Sequence, residues 1–462
     1  MSGEPASLSG PVSGHAHAPW NPLTRIAFRF AFCYFALYCL GMWDELHVLF
    51  IYMMARHAPA NVPDPYMAPL WHRLVPWVGQ HILHLAKPIT VFSNGSGDTT
   101  YDWVLLLCFL AISAMATLLW FFLDSRRANY RTLHQWLRLL IVLSLGAEML
   151  SYGWDKAIPL QFGSLNFSRL SEPLGEMSPA MLLWNFMAAS KPYTIAAGLV
   201  EVLGGVLLFV PRLTTFGALV SVGAMANVFA LNMSYDVPVK LLSFHMGLLA
   251  AFLLLPELPR LFNVFVLNRP AAPLATVPLS SQGWLCRAAL LLRLSVGVFL
   301  CCMLFYFSHR TYAQQRQQAQ TASSFPLYGV WSVDEFTVSE NPATSLFTPK
   351  LLQDLKIPAW KDRWERLVFH TPDSAAIQLS TGALDHVTPQ LDLKSNSLVL
   401  TDPDDKDWHC NFAVQTPSPH QLRLQGTVNG LTVSAKLHRE DEDRFLLTHR
   451  GFHWINEYPD FR

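Results

Sequence analysis

Charge is what this sequence has least of. Only 14% of its 462 residues are Asp, Glu, Lys or Arg, against ~25% in soluble domains, so a fully hydrated surface along the whole chain is excluded. The formal net charge is zero, which leaves no basic face for nucleic acid. No GxxxxGK[ST] loop occurs, which disfavours a nucleotide-driven machine. The seven cysteines form no CxxC and no spacing suited to a metal, so they read as small apolar fillers. Cys410 stands alone in the polar part, and no disulfide framework follows from it. No secretory leader is evident in the opening residues either. The first apolar run starts near Ile26 behind a Pro/Gly/Ser-rich tail, and it is longer than the ~7–15 residues of a signal core, so it reads as an uncleaved first span.

What the chain does have is apolar length, with 52% hydrophobic residues. Charged residues are sparse before about residue 310 and common after about 330, which implies two solvents for one chain. A bilayer core is crossed by roughly 20 apolar residues in a helix. Seven segments qualify, at about 26–50, 103–123, 136–156, 192–211, 213–232, 237–256 and 285–307. The fourth and fifth are separated only by "PRL" and form a hairpin turning at Pro211 and Arg212. Basic residues in short loops mark the cytoplasmic side. Arg126, Arg127, Arg131, Arg138, Arg212, Arg260 and Arg269 share one side with Arg25 and Arg29 if the N-terminus is cytoplasmic. Everything after residue 308 then lies outside the cytoplasm.

The expected organisation is a flexible tail over 1–25, a polytopic all-α membrane domain over 26–308, a linker over 309–326 and an extracytoplasmic antiparallel all-β domain over 327–462. The outer loop over 51–102 contains "APLWHRLVPWVGQHILHLAKP", whose Trp71 and Trp77 suit an interfacial helix. His81 and His84 share a helical face there, but no third ligand follows, so they read as a surface pair rather than a metal site. "FSNGSGDTTYDW" supplies Asp or Ser/Thr to cap the second span. "SHRTYAQQRQQAQTASSF" is a linker by composition. From Tyr328 short alternating runs follow, from "YGVWSVDEFTV" through "LDLKSNSLVLT" and "LTVSAKLHRE" to "RFLLTHRGF". This spacing predicts a barrel or sandwich. Gly329-Val330-Trp331 resembles the Gly-x-Trp opening of lipocalin-type barrels. The β domain is expected either to hold a ligand or to be filled and serve as a docking module.

Ionisable residues inside a span face protein or a wet cavity, because lipid will not solvate them. In the third span Ser144, Glu148, Ser151, Tyr152 and Asp155 fall on one helical stripe. In the fourth, Ala197, Glu201 and Gly205 are spaced by four, so small residues let a neighbour approach and turn Glu201 inward. Asn227 follows Gly223 by one turn in the fifth, a similar arrangement. In "NMSYDVPVKLLSFH", Asp236 reads as the helix cap with Pro238 in the first turn. Lys240 opposes the helix dipole there and needs a carboxylate, Asp236 or Asp155. His245 lies half a turn away and reads as a satisfied core histidine or a ligand contact.

Several strings resemble the DoxX-like family of bacterial membrane proteins: "SYGWDKAIPLQF", "LGEMSPAMLLWNFMAASKPYTIAAGLVEVLGGVLLF" and "NMSYDVPVKLLSFH". They cover a four-helix core at about 135–270, and "HRGFHWINEYPDFR" is similar to the ending of longer members with an outer β domain. The resemblance implies the bacterial cytoplasmic (inner) membrane. Through relatives that include subunits of thiosulfate:quinone oxidoreductase, it also hints at quinone-linked redox chemistry, which makes quinone a candidate cofactor and leaves the cofactor itself open. It supplies no agreed catalytic set, and this chain has no outer cysteine pair for sulfur chemistry.

Three functions stay open on the residues. One is a quinone-linked oxidoreductase or accessory subunit, with Glu148, Glu201, Asp236 and Lys240 as the catalytic, proton-handling set and Tyr152, Asp155, Asn227 and His245 lining the substrate. The second is a small-molecule transporter, against which the lack of a visible inverted repeat counts. The third is an envelope assembly protein whose β domain binds another envelope or redox protein.

Overall fold

A computed structural model describes residues 19–54, 67–91, 95–124, 126–271, 278–339, 364–405, 408–428, 431–441 and 444–451. Most of the expected tail and residues 452–462 of the C-terminal string lie outside these. The helices are α1 (Pro22–Met54), α2 (Ala68–His81), α3 (Thr100–Leu123), α4 (Arg131–Ala157), α5 (Phe167–Ser171), α6 (Pro179–Ala189), α7 (Lys191–Phe209), α8 (Thr214–Ser234), α9 (Lys240–Leu254), α10 (Leu258–Phe265) and α11 (Gly283–Ser323). Strands β1 (Gly329–Ser339), β2 (Trp364–Thr371), β3 (Ser374–Leu379), β4 (Leu384–Asp392), β5 (Ser397–Thr401), β6 (His409–Ser418), β7 (Gln421–Val428) and β8 (Leu431–Arg439) follow. A last helical turn, α12, covers Leu446–His449.

Among the described residues, seven helical segments are long and apolar enough to cross a membrane: within α1, α3, α4, α7, α8, α9 with α10, and α11. They coincide with the seven runs read from the sequence. Side chains such as Leu118, Leu119, Phe122 and Leu123 of α3 point outward, as lipid-facing residues do and water-facing ones rarely would. The chain is a multi-pass membrane protein carrying a β domain.

Contacts divide the chain into two compact units. The first comprises residues up to Met149, Gly204–Phe229 and Pro238–Leu300; the second comprises Leu150–Leu203, Ala230–Val237 and Cys301 onward. The division falls within α4, α7, α8 and α11.

In the first unit, Arg29 of α1 is buried (2% exposed). Its guanidinium donates to the Asp124 carbonyl at 2.6 Å and to the Tyr130 hydroxyl at 2.7 Å, tying α1 to the α3–α4 connection. The outer loop holds the expected amphipathic helix, α2. Ala68, Trp71, Val75 and Gly79 recur at intervals of three and four and are buried, with Trp71 set edge-on to Phe109 of α3 at 5.1 Å. Trp77 is half exposed.

In the second unit the eight strands form a closed, sequential barrel, each pairing antiparallel with the next and β8 returning to β1. Closure removes every exposed edge and settles barrel against sandwich. The interior is filled: Trp331, Trp364, Phe369, Phe412, Leu422 and Leu424 are all 2% exposed or less. Trp331 of the Gly-x-Trp opening donates its indole N–H to the Leu327 carbonyl at 2.7 Å. Cys410 belongs to this core, and burial pushes its thiol up in pKa. At the closing seam Glu440 accepts from Arg366 at 2.8 Å and also from Ser332, and pairs with Arg444 at 2.7 Å. Burial raises the pKa of this carboxyl, but those hydrogen bonds and the two arginine charges outweigh burial and hold it below the ordinary range.

Three sequence expectations need correction. "RFLLTHRGF" contains the helical turn α12, not a strand. "LDLKSNSLVLT" is the end of β4, a turn and β5, because Asp392 accepts from the Lys394 amide at 2.9 Å and Asn396 takes a positive φ of 48°. The body of β4 escapes a strand pattern because Pro389 and the polar Asp385, His386, Thr388 and Gln390 interrupt it. The Gln-rich segment taken as a linker continues α11 as helix through Ser323, a 41-residue element.

The barrel wall is buried on both faces along part of β2, where Leu367, Val368 and Phe369 are consecutive and all buried. The cause is α5, which lies on the outside: Phe167 packs with Val330, Val368 and Ala376. Ser168 hydrogen-bonds His370 Nε2, and Gln378 donates to the Ser171 carbonyl at 2.8 Å. Burial, then the nearby His386, lowers His370 from 6.5 to about 4.

Candidate functional site

The polar residues inside the helices gather into separate centres. In the second unit, Lys156 in the last turn of α4 places Nζ 2.8 Å from Oε2 of Glu201 on α7, with the two side chains 8% and 3% exposed. Lys156 also lies over the Tyr152 ring at 5.5 Å. Asp155 accepts from the Ser308 hydroxyl of α11 at 2.9 Å. The pair forms because glycines let two backbones touch. A Cβ at Gly198 would sit 2.3 Å from the Ala157 nitrogen, and one at Gly153 would sit 2.7 Å from the Val202 nitrogen. A small residue does bring a neighbour close to Glu201, although the fourth-span pattern names Ala197 and Gly205 for that approach. Gly198 makes the contact.

In the first unit, Asp98 is the organising group. Its two oxygens accept from the backbone amides of Lys240 and Leu241 at 2.7 and 2.9 Å, and Lys240 Nζ lies 3.8 Å away. Gly97 N–H donates to the Pro238 carbonyl at 2.8 Å, clipping the loop to the start of α9. Thr99, the next residue, caps α3 in a capping box with Asp102. Consecutive residues therefore serve the N-termini of two helices. This corrects the reading of Asp236 as the cap of α9. That helix begins at Lys240 behind an N-cap Val239 without a side-chain bond, so Pro238 also precedes its first turn. Asp236 instead holds a positive φ of 52° in the turn after α8, a conformation Asp tolerates better than most residues.

His245 of α9 is buried. Its Nδ1 faces the Leu241 carbonyl at 2.6 Å, and its Nε2 faces the Tyr34 hydroxyl at 2.6 Å. A carbonyl only accepts, so in neutral imidazole Nδ1 carries the proton and Nε2 accepts from Tyr34. Tyr38 stacks on the ring with centroids 4.3 Å apart. Glu148 is 8% exposed and Ser144 fully buried, the latter accepting from Trp43 at 2.9 Å. Asn227 is different. It is exposed, and a Cβ at Gly223 meets nothing within 4 Å, so the expected close approach does not occur there.

The structure thus joins Glu201 to Lys156 and Lys240 to Asp98. Neither Lys156 nor Asp98 was singled out from the sequence. Lys156 lies in the last turn of α4, and Asp98 sits in a turn-rich loop 142 residues from the helix it caps. The stripe on α4 was the available signal for the first; for the second there was none.

Fold and sites together define a polytopic membrane protein with a buried Lys156–Glu201 ion pair and a filled β-barrel. No family model matches the chain, and no solved structure matches it. It is similar to the "Uncharacterized protein YwoB" of Bacillus subtilis (strain 168), 26% identical over 123 residues, which is 27% of this chain and 78% of that protein.

Proposed function

We propose that the protein is a DoxX-like envelope assembly protein of the bacterial cytoplasmic membrane. Its N-terminus lies in the cytoplasm, and its barrel docks another envelope component on the far side. The observation that supports docking over ligand carriage is the barrel interior, occupied by Trp331, Trp364, Phe369 and Phe412. A barrel whose interior is packed with these side chains has its outer surface left for recognition. The Glu201–Lys156 pair fits the same reading, since two buried charges that neutralise one another hold helices in place. Native-gel migration of detergent-extracted full-length protein, beside a version lacking residues 327–462, tests this. The full chain should migrate with a second envelope protein and the truncated chain without it; identical complexes from both would refute docking through the barrel.

A second reading, a quinone-linked membrane oxidoreductase subunit, is favoured by the Tyr34–His245 contact. A phenol donating to an imidazole whose other nitrogen is held by a carbonyl is placed to pass a proton. Binding of a quinone analogue to wild type, weakened by Tyr34→Phe, is the expected result. Equal binding by both would remove this reading.

A further inference from the structure

A cavity of about 500 Å³ opens in the first unit where α4, α7, α8, α9, α10 and α11 begin or end. Its volume falls within the ~300–1,000 Å³ typical of small-ligand sites. Arg138, Arg212, Arg260 and Arg293 line it, with Glu257 as the one acidic lining residue among the described residues, so these give its wall three positive charges in excess. Like charges around a partly dehydrated space repel one another unless an anion enters.

Three of the four arginines are tethered rather than loose. Arg293 donates through Nη2 to the Leu208 carbonyl and the Thr214 hydroxyl. Arg138 donates to the Leu253 carbonyl at 2.7 Å, and Arg260 pairs with Glu257. Each is fixed at one end of its guanidinium. The buried Nε atoms of Arg260 and Arg293 have no hydrogen-bond partner among the described residues, which is costly in a site with nothing to bind. Leu139, Val142, Ala289 and Leu290 form an apolar part of the wall. Trp136, whose indole donates to the Leu279 carbonyl at 3.1 Å, lies on the same turn of α4, as residues at a membrane–water boundary often do.

We propose that this cavity binds a phosphate-bearing anion, supplied either by an anionic phospholipid headgroup or by a soluble phosphorylated molecule. Fixed guanidinium forks match phosphate oxygens two at a time, and the apolar part of the wall accommodates the carbon skeleton attached to the phosphate.

Delipidated full-length protein in a zwitterionic detergent is the material for the test. In one arm inorganic phosphate is titrated against thermal stability. In the other, native mass spectrometry follows retention of phosphatidylglycerol against phosphatidylcholine. Stabilisation by phosphate identifies a soluble source, selective retention of phosphatidylglycerol identifies a headgroup, and either supports the site. Arg212→Gln, an exposed position, should weaken the responding probe about tenfold by loss of one charge-assisted contact. Arg260→Gln provides a second reading should the first variant fail to fold. Arg127→Gln, an exposed arginine outside the lining, should leave binding unchanged. No response to either probe, or equal weakening by Arg127→Gln, would overturn the proposal.

Discussion

Lys156 and Glu201 meet at 2.8 Å, 45 residues apart in sequence and both shielded from solvent. Their meeting depends on Gly153 and Gly198, whose lack of side chains lets α4 and α7 touch. Lys156 also sits in the final turn of α4, where the helix dipole favours a cation. The pair is thus positioned by backbone contact and stabilised by its own attraction.

Removing one partner strands the other. Glu201→Ala should cost about 3–5 kcal/mol, as single deletions from buried pairs do. The double variant Lys156→Met with Glu201→Leu should recover most of that loss. Unfolding midpoints of the purified protein in detergent provide the double-mutant cycle. A coupling indistinguishable from zero would contradict a working ion pair.

Gly198→Ala places a methyl group 2.3 Å from the Ala157 nitrogen, so the helices must part. A loss of about 1–3 kcal/mol is expected from the overpacking. Gly223→Ala is the matched control because its Cβ position is open, and there alanine should be neutral or stabilise by up to about 1 kcal/mol. Equal effects at both sites would mean the crossing is looser than described.

Asp98→Ala removes the acceptor for two amides and the partner of Lys240. The lost cap alone is worth about 0.5–2 kcal/mol. Asp236→Gly, which deletes a carboxylate while keeping the positive-φ turn, should cost less. Hydrogen exchange at the first turn of α9 would show the difference, rising in Asp98→Ala and staying near wild type in Asp236→Gly.

His370 gives the contact between α5 and the barrel a pH dependence. Burial, then the neighbouring His386, lowers it from 6.5 to about 4. The unfolded chain therefore binds the proton more readily than the folded one. Stability from this residue is complete above about pH 6.5 and is lost as pH falls towards about 4. Amide exchange at Phe167–Ser171 should accelerate across that window in wild type. His370→Gln should flatten the profile, and an unchanged slope would assign the dependence elsewhere.

The sequence by itself determined the seven spans, the amphipathic α2 and all but one of the barrel strands. These follow from composition and from periods of 3.6 and 2, which neighbouring residues carry among themselves. It also placed Glu201 against a close neighbour, since glycine and glutamate share one stretch of α7. Only the tertiary structure decided that Lys156 meets Glu201, that Asp98 rather than Asp236 caps α9, that Asn227 is exposed, and that α5 covers the outside of β2. Hydrogen bonds and ion pairs depend on distance in space, and residues as far apart in the chain as Asp98 and Lys240 leave no local pattern to announce that they will meet.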